Sequence, residues 1–118
     1  MHISLLKKLE NWAVQISELK NHLDDSFLAE HLYKQIARSS TSVVLNYAES
    51  KAAESKNDFI HKLSIALKEL DESKANLKLL RESDCCKNKK LINSRLRECN
   101  SFIMHIVKSL KTLKANST

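Results

Sequence analysis

The chain contains no glycine and no proline anywhere in its 118 residues, and this absence narrows the choice of folds more than any motif does. Glycine supplies the positive φ of tight hairpin turns, and proline fixes turn corners and strand edges, so a chain lacking both is poorly equipped to reverse direction between strands. Leu, Lys, Glu, Ala and Ser dominate instead, residues that build helices or cap them. The expectation is an all-α protein of long helices joined by short polar connections. The length fits a single domain over residues 1–118, with no room for a second core.

Four apolar seams can be read along the chain. Leu5, Leu9, Trp12, Ile16, Leu19 and Leu23 step by four and three, which predicts a first helix over residues 3–22. Asp24, Asp25 and Ser26 then offer side-chain oxygens to the amides of a second helix reaching residue 52. Ser55 followed by Asp58 resembles a capping box that opens a third helix over 56–82, with Phe59, Leu63, Ala66, Leu70, Leu77 and Leu80 as its seam and Ser73 as the one polar interruption. Asp58 and Lys62 have the spacing of an i, i+4 ion pair. A polar loop, 83–88, leads to a fourth helix over 87–115 whose seam is Ile92, Leu96, Cys99, Ile103, Ile106, Leu110 and Leu113. Helices of this length, about 30–45 Å at about 1.5 Å per residue, joined by short loops, predict an up-down-up-down antiparallel four-helix bundle. Its core should hold Leu9, Trp12, Ile16, Ile36, Val43, Leu63, Ala66, Leu70, Leu96, Ile103, Ile106 and Leu110.

The second helix is the unusual one. Gln35, Ser39, Ser42, Asn46 and Glu49 form a continuous polar line directly beside the core positions Leu32, Ile36, Val43 and Tyr47. Ala37, Val44, Ala48 and Ala52 make a second apolar line on nearly the other side, which must be covered by the bundle itself or by another copy of the chain. Ser39, Ser40, Thr41 and Ser42 are four consecutive hydroxyl residues of weak helix propensity. Tertiary packing has to hold that turn, and its small side chains let a neighbour approach closely.

The net charge of +6 is unevenly spread: residues 84–118 carry eight bases against two acids, while the rest of the chain nearly balances. No apolar run could span a bilayer, and Lys7, Lys8 and Glu10 interrupt any signal-peptide core, so the expected location is cytoplasmic. Three cysteines, two of them the adjacent Cys85 and Cys86, fit neither a secreted disulfide framework nor a metal motif and are expected to be reduced thiols. The five histidines follow no Glu-x-x-His pattern of the kind a di-metal bundle needs. Nothing points to a cofactor, a metal or a small-molecule substrate.

At Gln35, Arg38, Ser39, Ser40, Ser42, Val43, Asn46, Tyr47, Ala48 and Glu49, the pattern Q-x-x-R-S-S-x-S-V-x-x-N-Y-A-E resembles a bacterial family, the 23S rRNA-intervening sequence proteins. The likeness continues through residues 53–56, 58–63 and 65–69, about the middle half of the chain. It departs at Glu72-Ser73-Lys74-Ala75-Asn76-Leu77, where relatives continue E-T-x-Y-W-L and carry two aromatics that this chain lacks. The resemblance implies an up-and-down four-helix bundle assembling into ring-shaped homopentamers, with no established enzymatic activity. It maps the family motif onto Gln35, Arg38, Ser39, Ser42, Asn46, Glu49, Asp58 and Glu69. By a more distant analogy, the resemblance extends to bundle proteins that act as accessory nucleic-acid-binding partners of reverse transcriptases in diversity-generating retroelements.

Semi-buried Ser, Asn and Gln must be paired wherever they sit, so the polar line reads first as a hydrogen-bonded register device between helices or subunits, with Arg38, Glu49 and Glu69 as members, and second as a ligand surface. Glu49, Asp58 and Glu69 could be imagined as an acid-base pair, but Arg38 and Lys62 are at hand to neutralise them, and no nucleophile, base and orienting group converge. The basic quarter offers Lys87, Lys89, Lys90, Arg95, Arg97, Lys108, Lys111 and Lys114 for phosphates of DNA or RNA, with Phe102 the one aromatic nearby. Two function classes result. One is a non-enzymatic homo-oligomer, with Ala37, Val44 and Ala48 at its interface, that binds nucleic acid without sequence preference; the other is a structural or protein-interaction scaffold whose basic face serves solubility.

Overall fold

Each helix of this chain has to end without the glycine or proline that often follows a helix C-terminus, while its start is marked by a polar side chain. In the computed structural model, which describes residues 2–116, α1 spans Leu5–Ser17 and continues as a short 3-10 helix over Glu18–His22, followed by α2 (Phe27–Lys51), α3 (Lys56–Glu82) and α4 (Lys89–Ala115). All four α-helices start with the same device: a polar side chain accepts from the amide three residues on. Ser4 Oγ takes Lys7 N at 3.2 Å, Ser26 Oγ takes Ala29 N at 3.1 Å, Ser55 Oγ takes Asp58 N at 3.1 Å and Asn88 Oδ1 takes Leu91 N at 3.1 Å. Each such cap contributes about 0.5–2 kcal/mol.

Two boundaries differ from the expected ones. The first helix tightens into the 3-10 turn after Ser17, and there the Tyr33 hydroxyl donates to the Ser17 carbonyl at 3.1 Å. The fourth begins at Lys89 rather than at residue 87, because the Lys87 amide donates to His22 O (3.3 Å) while Asp24 N donates to Cys85 O (2.9 Å). These two bonds make an isolated antiparallel bridge, Leu23 to Cys86, that ties the loop before α2 to the loop before α4. All three cysteines are free thiols and buried. Burial pushes the Cys99 thiol up to about 12, and its Sγ donates to Leu70 O at 3.4 Å.

The four seams meet in one core. Leu9, Trp12, Ile16, Ile36, Val43, Ala66, Leu70, Ile92 and Ile106 are fully enclosed, and Leu63, Leu96 and Leu110 nearly so. Ile103, expected inside, is only half-buried, and Phe102 takes the enclosed position beside it. The reason is Trp12: its indole N–H donates to Arg95 O at 3.1 Å, and its ring meets Phe102 edge-on at 5.7 Å and 75°, an arrangement aromatic pairs favour. Phe102 is therefore not available to stack on a base.

α2 and α3 form the most extensive helix pair. Their register is fixed by three cross-links that run in opposite senses along the two helices: Arg38 to Glu72 (3.7 Å), Ser39 Oγ to Ser73 Oγ (2.7 Å) and Glu49 to Lys62 (2.8 Å). Ser39 and Ser73 have no exposed surface at all. Ser39 Oγ also donates to Ile36 O at 3.3 Å, so across the helices it accepts the proton of Ser73. Removing the acceptor strands a buried donor, whereas removing the donor leaves Ser39 still bonded. Ser39→Ala is thus expected to cost about 1–3 kcal/mol and Ser73→Ala less than about 1 kcal/mol, with the double variant recovering part of the Ser39→Ala loss. Urea unfolding of the three variants checks it; equal and additive losses would contradict this donor assignment.

Candidate functional site

Three surfaces were singled out by sequence, and the structure treats them differently. On the polar line of α2, Ser39 is buried, Ser42 and Asn46 are half-buried, and Gln35, Arg38 and Glu49 are exposed. These side chains do not form one network. Asn46 Nδ2 donates within its own helix, to Ser42 O (2.9 Å) and Ser42 Oγ (3.1 Å), while Ser40 and Thr41 bond back to Ala37 O. The expected i, i+4 pair of Asp58 with Lys62 is not formed: Asp58 Oδ2 accepts from Glu54 N at 3.4 Å, and Lys62 crosses to Glu49, whose hydrogen bond raises the lysine's pKa. Sequence spacing showed only the same-helix partner.

Glu69, placed in the same network by sequence, is the exception on this face. Its Oε2 is buried and meets no hydrogen-bond donor. Burial first, and then the neighbouring Glu72 carboxylate, raises its pKa above the ordinary glutamate value, with Arg38 pulling the other way. Ser73, Glu72 and Asn76, which complete this face, were not recognised from sequence; Ser73, polar inside the α3 seam, was the one available signal.

The basic quarter divides into two groups. Lys87, Lys90, Arg97, Lys108 and Lys111 are exposed. Lys89 and Arg95 are not part of that surface. Lys89 Nζ donates to Leu80 O (3.2 Å), Arg81 O (2.8 Å) and Ser83 O, closing the carbonyl end of α3. Arg95 keeps only 13% of its side chain exposed and pairs with Glu98, Nε to Oε1, at 2.6 Å. Lys87 faces Asp24, whose carboxyl is held below its usual range by hydrogen bonds from Ser26 and, less strongly, by that lysine. What is left is one outer line of α4, Lys90, Ser94, Arg97, Ser101, Met104, Lys108 and Lys111, in steps of four and three with no acid on it. None of the ion pairs among the described residues involves Lys90, Arg97, Lys108 or Lys111.

The apolar line of Ala37, Val44 and Ala48 is half-buried, and Val44 packs against the chain's own core. Leu45 next to it is 63% exposed, and Val14 on α1 is 60% exposed. Among the described residues no helix is long and apolar enough to cross a membrane, and no group of three or more His, Cys, Asp or Glu is placed to hold a metal ion.

Glu69 gives a pH test. Its folded-state pKa lies above the unfolded one, so the native state holds the proton more tightly, and ionisation above the folded-state value costs stability. Glu69→Gln is expected to raise the urea midpoint at neutral pH. The gain should shrink as pH falls through the folded-state pKa and vanish below the unfolded one. A midpoint difference that stays constant from neutral to acidic pH would remove burial of the carboxylate as its cause.

With the geometry in place, comparison with known proteins identifies the relatives. The family model described as 23S rRNA-intervening sequence protein matches residues 2–108, which takes in α1 to α3, the polar line of α2 and most of α4. Among solved structures the chain is similar to the crystal structure of a protein of unknown function from the S23 ribosomal protein family of Bacteroides thetaiotaomicron. The two are 30% identical over 92% of this chain and 99% of that one, with a TM-score of 0.79. No curated protein matches the sequence. A match of this extent, on a four-helix chain that carries the motif from Gln35 to Glu49 on α2, places the protein in the 23S rRNA-intervening sequence protein family.

Proposed function

We propose that the protein is a non-enzymatic homo-oligomer, a pentamer by family resemblance, that binds DNA or RNA without sequence preference through the outer face of α4. The observation that supports this reading best is the line of Lys90, Arg97, Lys108 and Lys111, exposed and outside the ion pairs described above. Over about 30 Å of helix it presents positive charge and no carboxylate. Such a line attracts phosphates by charge and by release of their counterions, which carries no base information. Closed symmetry would repeat it around an axis, and several weak contacts would then act together.

The scaffold reading is favoured by different observations. Met104, 73% exposed, sits in the middle of the basic line, and Lys89 and Arg95 are used internally. An exposed methionine between cations suits a protein surface as well as a phosphate backbone.

Fluorescence-anisotropy titration of labelled DNA and RNA at several salt concentrations separates the two. The logarithm of affinity should fall linearly with the logarithm of salt concentration, by about 0.9 per phosphate contact on duplex DNA and about 0.7 on single strands. Replacing Lys90, Arg97 and Lys108 with Ala should shallow the duplex slope by up to about 2.7 per bound subunit, at about 0.9 for each contact. Lys89→Ala is the internal control: it should lower thermal stability and leave the slope unchanged. No saturable binding at low salt would favour the scaffold.

For assembly, light scattering should report a multiple of the 13.5 kDa chain, fivefold for the pentamer. Val44 contributes to the monomer's own core, so Leu45→Glu is the cleaner probe. It should dissociate the oligomer with helicity retained. A single 13.5 kDa species for the parent protein would exclude the oligomer.

A further inference from the structure

The hollows on this molecule differ sharply in the charges that line them. At the end of the bundle where α2 begins, one hollow carries Asp24, Asp25 and Glu30 with Lys20 and Lys34, and another sets Asp24 against Lys87. Those are mixed surfaces in which each cation has a carboxylate at hand. At the opposite end, where α1 begins and α2 finishes, the lining changes character. A cleft of about 490 Å³ is bordered by His2, Lys8, Lys51 and His105, with Leu5, Leu6 and Tyr47 among its apolar walls. No carboxylate among the described residues lines it. His105 is shared with a neighbouring hollow of about 520 Å³ that includes Phe59 and Lys108 and that no carboxylate among the described residues lines.

We propose that this cleft is a binding site for a phosphate monoester of mononucleotide size. Its volume falls within the range of small-ligand sites, and its composition, apolar walls with a few convergent polar groups, is what such sites share. Two ammonium groups with no carboxylate among the described lining residues create a positive potential over a partly apolar floor, and the two imidazoles add ring nitrogens to the same wall. Lys51 is held in place for this: its Nζ sits 5.0 Å from the centroid of the Tyr47 ring. Tyr47 is itself 94% enclosed, so the lysine rests on a fixed support. The leucines and the tyrosine edge would take the organic part of the ligand, and the lysines and imidazole N–H groups would take the phosphate oxygens.

The phosphate could belong to a free nucleotide or to the end of a nucleic-acid strand, and the experiment distinguishes these sources. The ring resonances of His2 and His105 in the full-length protein are followed by NMR during titration with adenosine 5′-monophosphate, with inorganic phosphate and with chloride at matched ionic strength. The expected result is a saturable shift of both histidines with the nucleotide, weaker with inorganic phosphate and absent with chloride. Lys8→Gln together with Lys51→Gln should weaken nucleotide binding at least tenfold, and Lys90→Gln with Arg97→Gln should leave it unchanged; all four side chains are exposed, so circular dichroism should match the parent. Oligonucleotides with and without a 5′-phosphate are then compared. A preference for the phosphorylated strand that disappears in the Lys8, Lys51 variant supports the site with a strand end as its source, and nucleotide binding without such a preference supports it with a free nucleotide. The proposal is overturned if chloride reproduces the shifts, or if the Lys8, Lys51 variant binds the nucleotide as the parent does. Because the controls lie on α4, failure here and failure of nucleic-acid binding along α4 are separate results.

Discussion

The contact on which the rest of the structure depends is the 2.7 Å hydrogen bond between the hydroxyls of Ser39 and Ser73, both wholly enclosed. Its net energy is small, about 1 kcal/mol for a typical intramolecular hydrogen bond. Its effect on alignment is larger. Apolar seams are non-directional and tolerate sliding by a turn, whereas a buried hydroxyl pair can be satisfied in only one register. With Ser39 opposite Ser73, Arg38 reaches Glu72 and Glu49 reaches Lys62 without further adjustment. α3 then positions α4 through Leu70 O, which accepts from Cys99 Sγ, and through its own last carbonyls, which accept from Lys89. Hydrophobic burial supplies the stability, and a few polar contacts choose the alignment.

The missing glycine explains why Lys89 is used as it is. A helix commonly ends with glycine in a left-handed conformation, which folds the following amides back onto the last carbonyls. This chain has no glycine, and among the described residues none has positive φ. The carbonyls of Leu80, Arg81 and Ser83 are met instead by one ammonium group from the next helix, which also suits the negative end of the α3 dipole. A fold-level constraint thereby removes one of the most obvious phosphate-binding candidates from the surface. Arg95 is removed by a different cause: Trp12 takes the Arg95 carbonyl, which draws that turn of α4 toward the core and leaves the guanidinium largely covered beside Glu98.

These two residues show where sequence reading succeeds and where it stops. The helices, their seams and the caps at Ser26 and Ser55 were legible because helical period and capping chemistry are local, set by residues three and four apart. The choice of partner between helices was not. Lys62 had an acid at the right spacing in its own helix and took Glu49 from another. Ile103 continued a regular heptad and gave way to Phe102, because an α-helix of 3.6 residues per turn drifts from a 3.5 repeat and Trp12 favoured an aromatic neighbour. The polar line of α2 was found, with its position at the core edge, but Ser73 on the facing helix, which completes its central contact, read only as an interruption. The basic quarter was visible as a count of charges. Its division into exposed and occupied cations depends on geometry that a count does not contain.

That division also explains how the outer line of α4 can be so basic in a stable bundle. Lys90 and Arg97 are two turns apart, about 10 Å, and Arg97 and Lys108 about 16 Å, at about 1.5 Å per residue. The screening length at physiological ionic strength is about 8 Å, so exposed charges at these separations repel one another weakly, and of the four only Lys108 and Lys111, about 4.5 Å apart along the axis, lie within it. Exposed cations of this kind contribute little to folding in either direction. Arg95, largely covered, and Lys89, half-covered, are held by specific acceptors and are in the opposite position: removing either leaves buried partners unsatisfied. The same helix therefore carries cations held by acceptors within the fold and cations exposed outside its ion pairs, and the two sets do not overlap. A surface whose charge can change without disturbing the core is one on which binding strength can be tuned separately from folding.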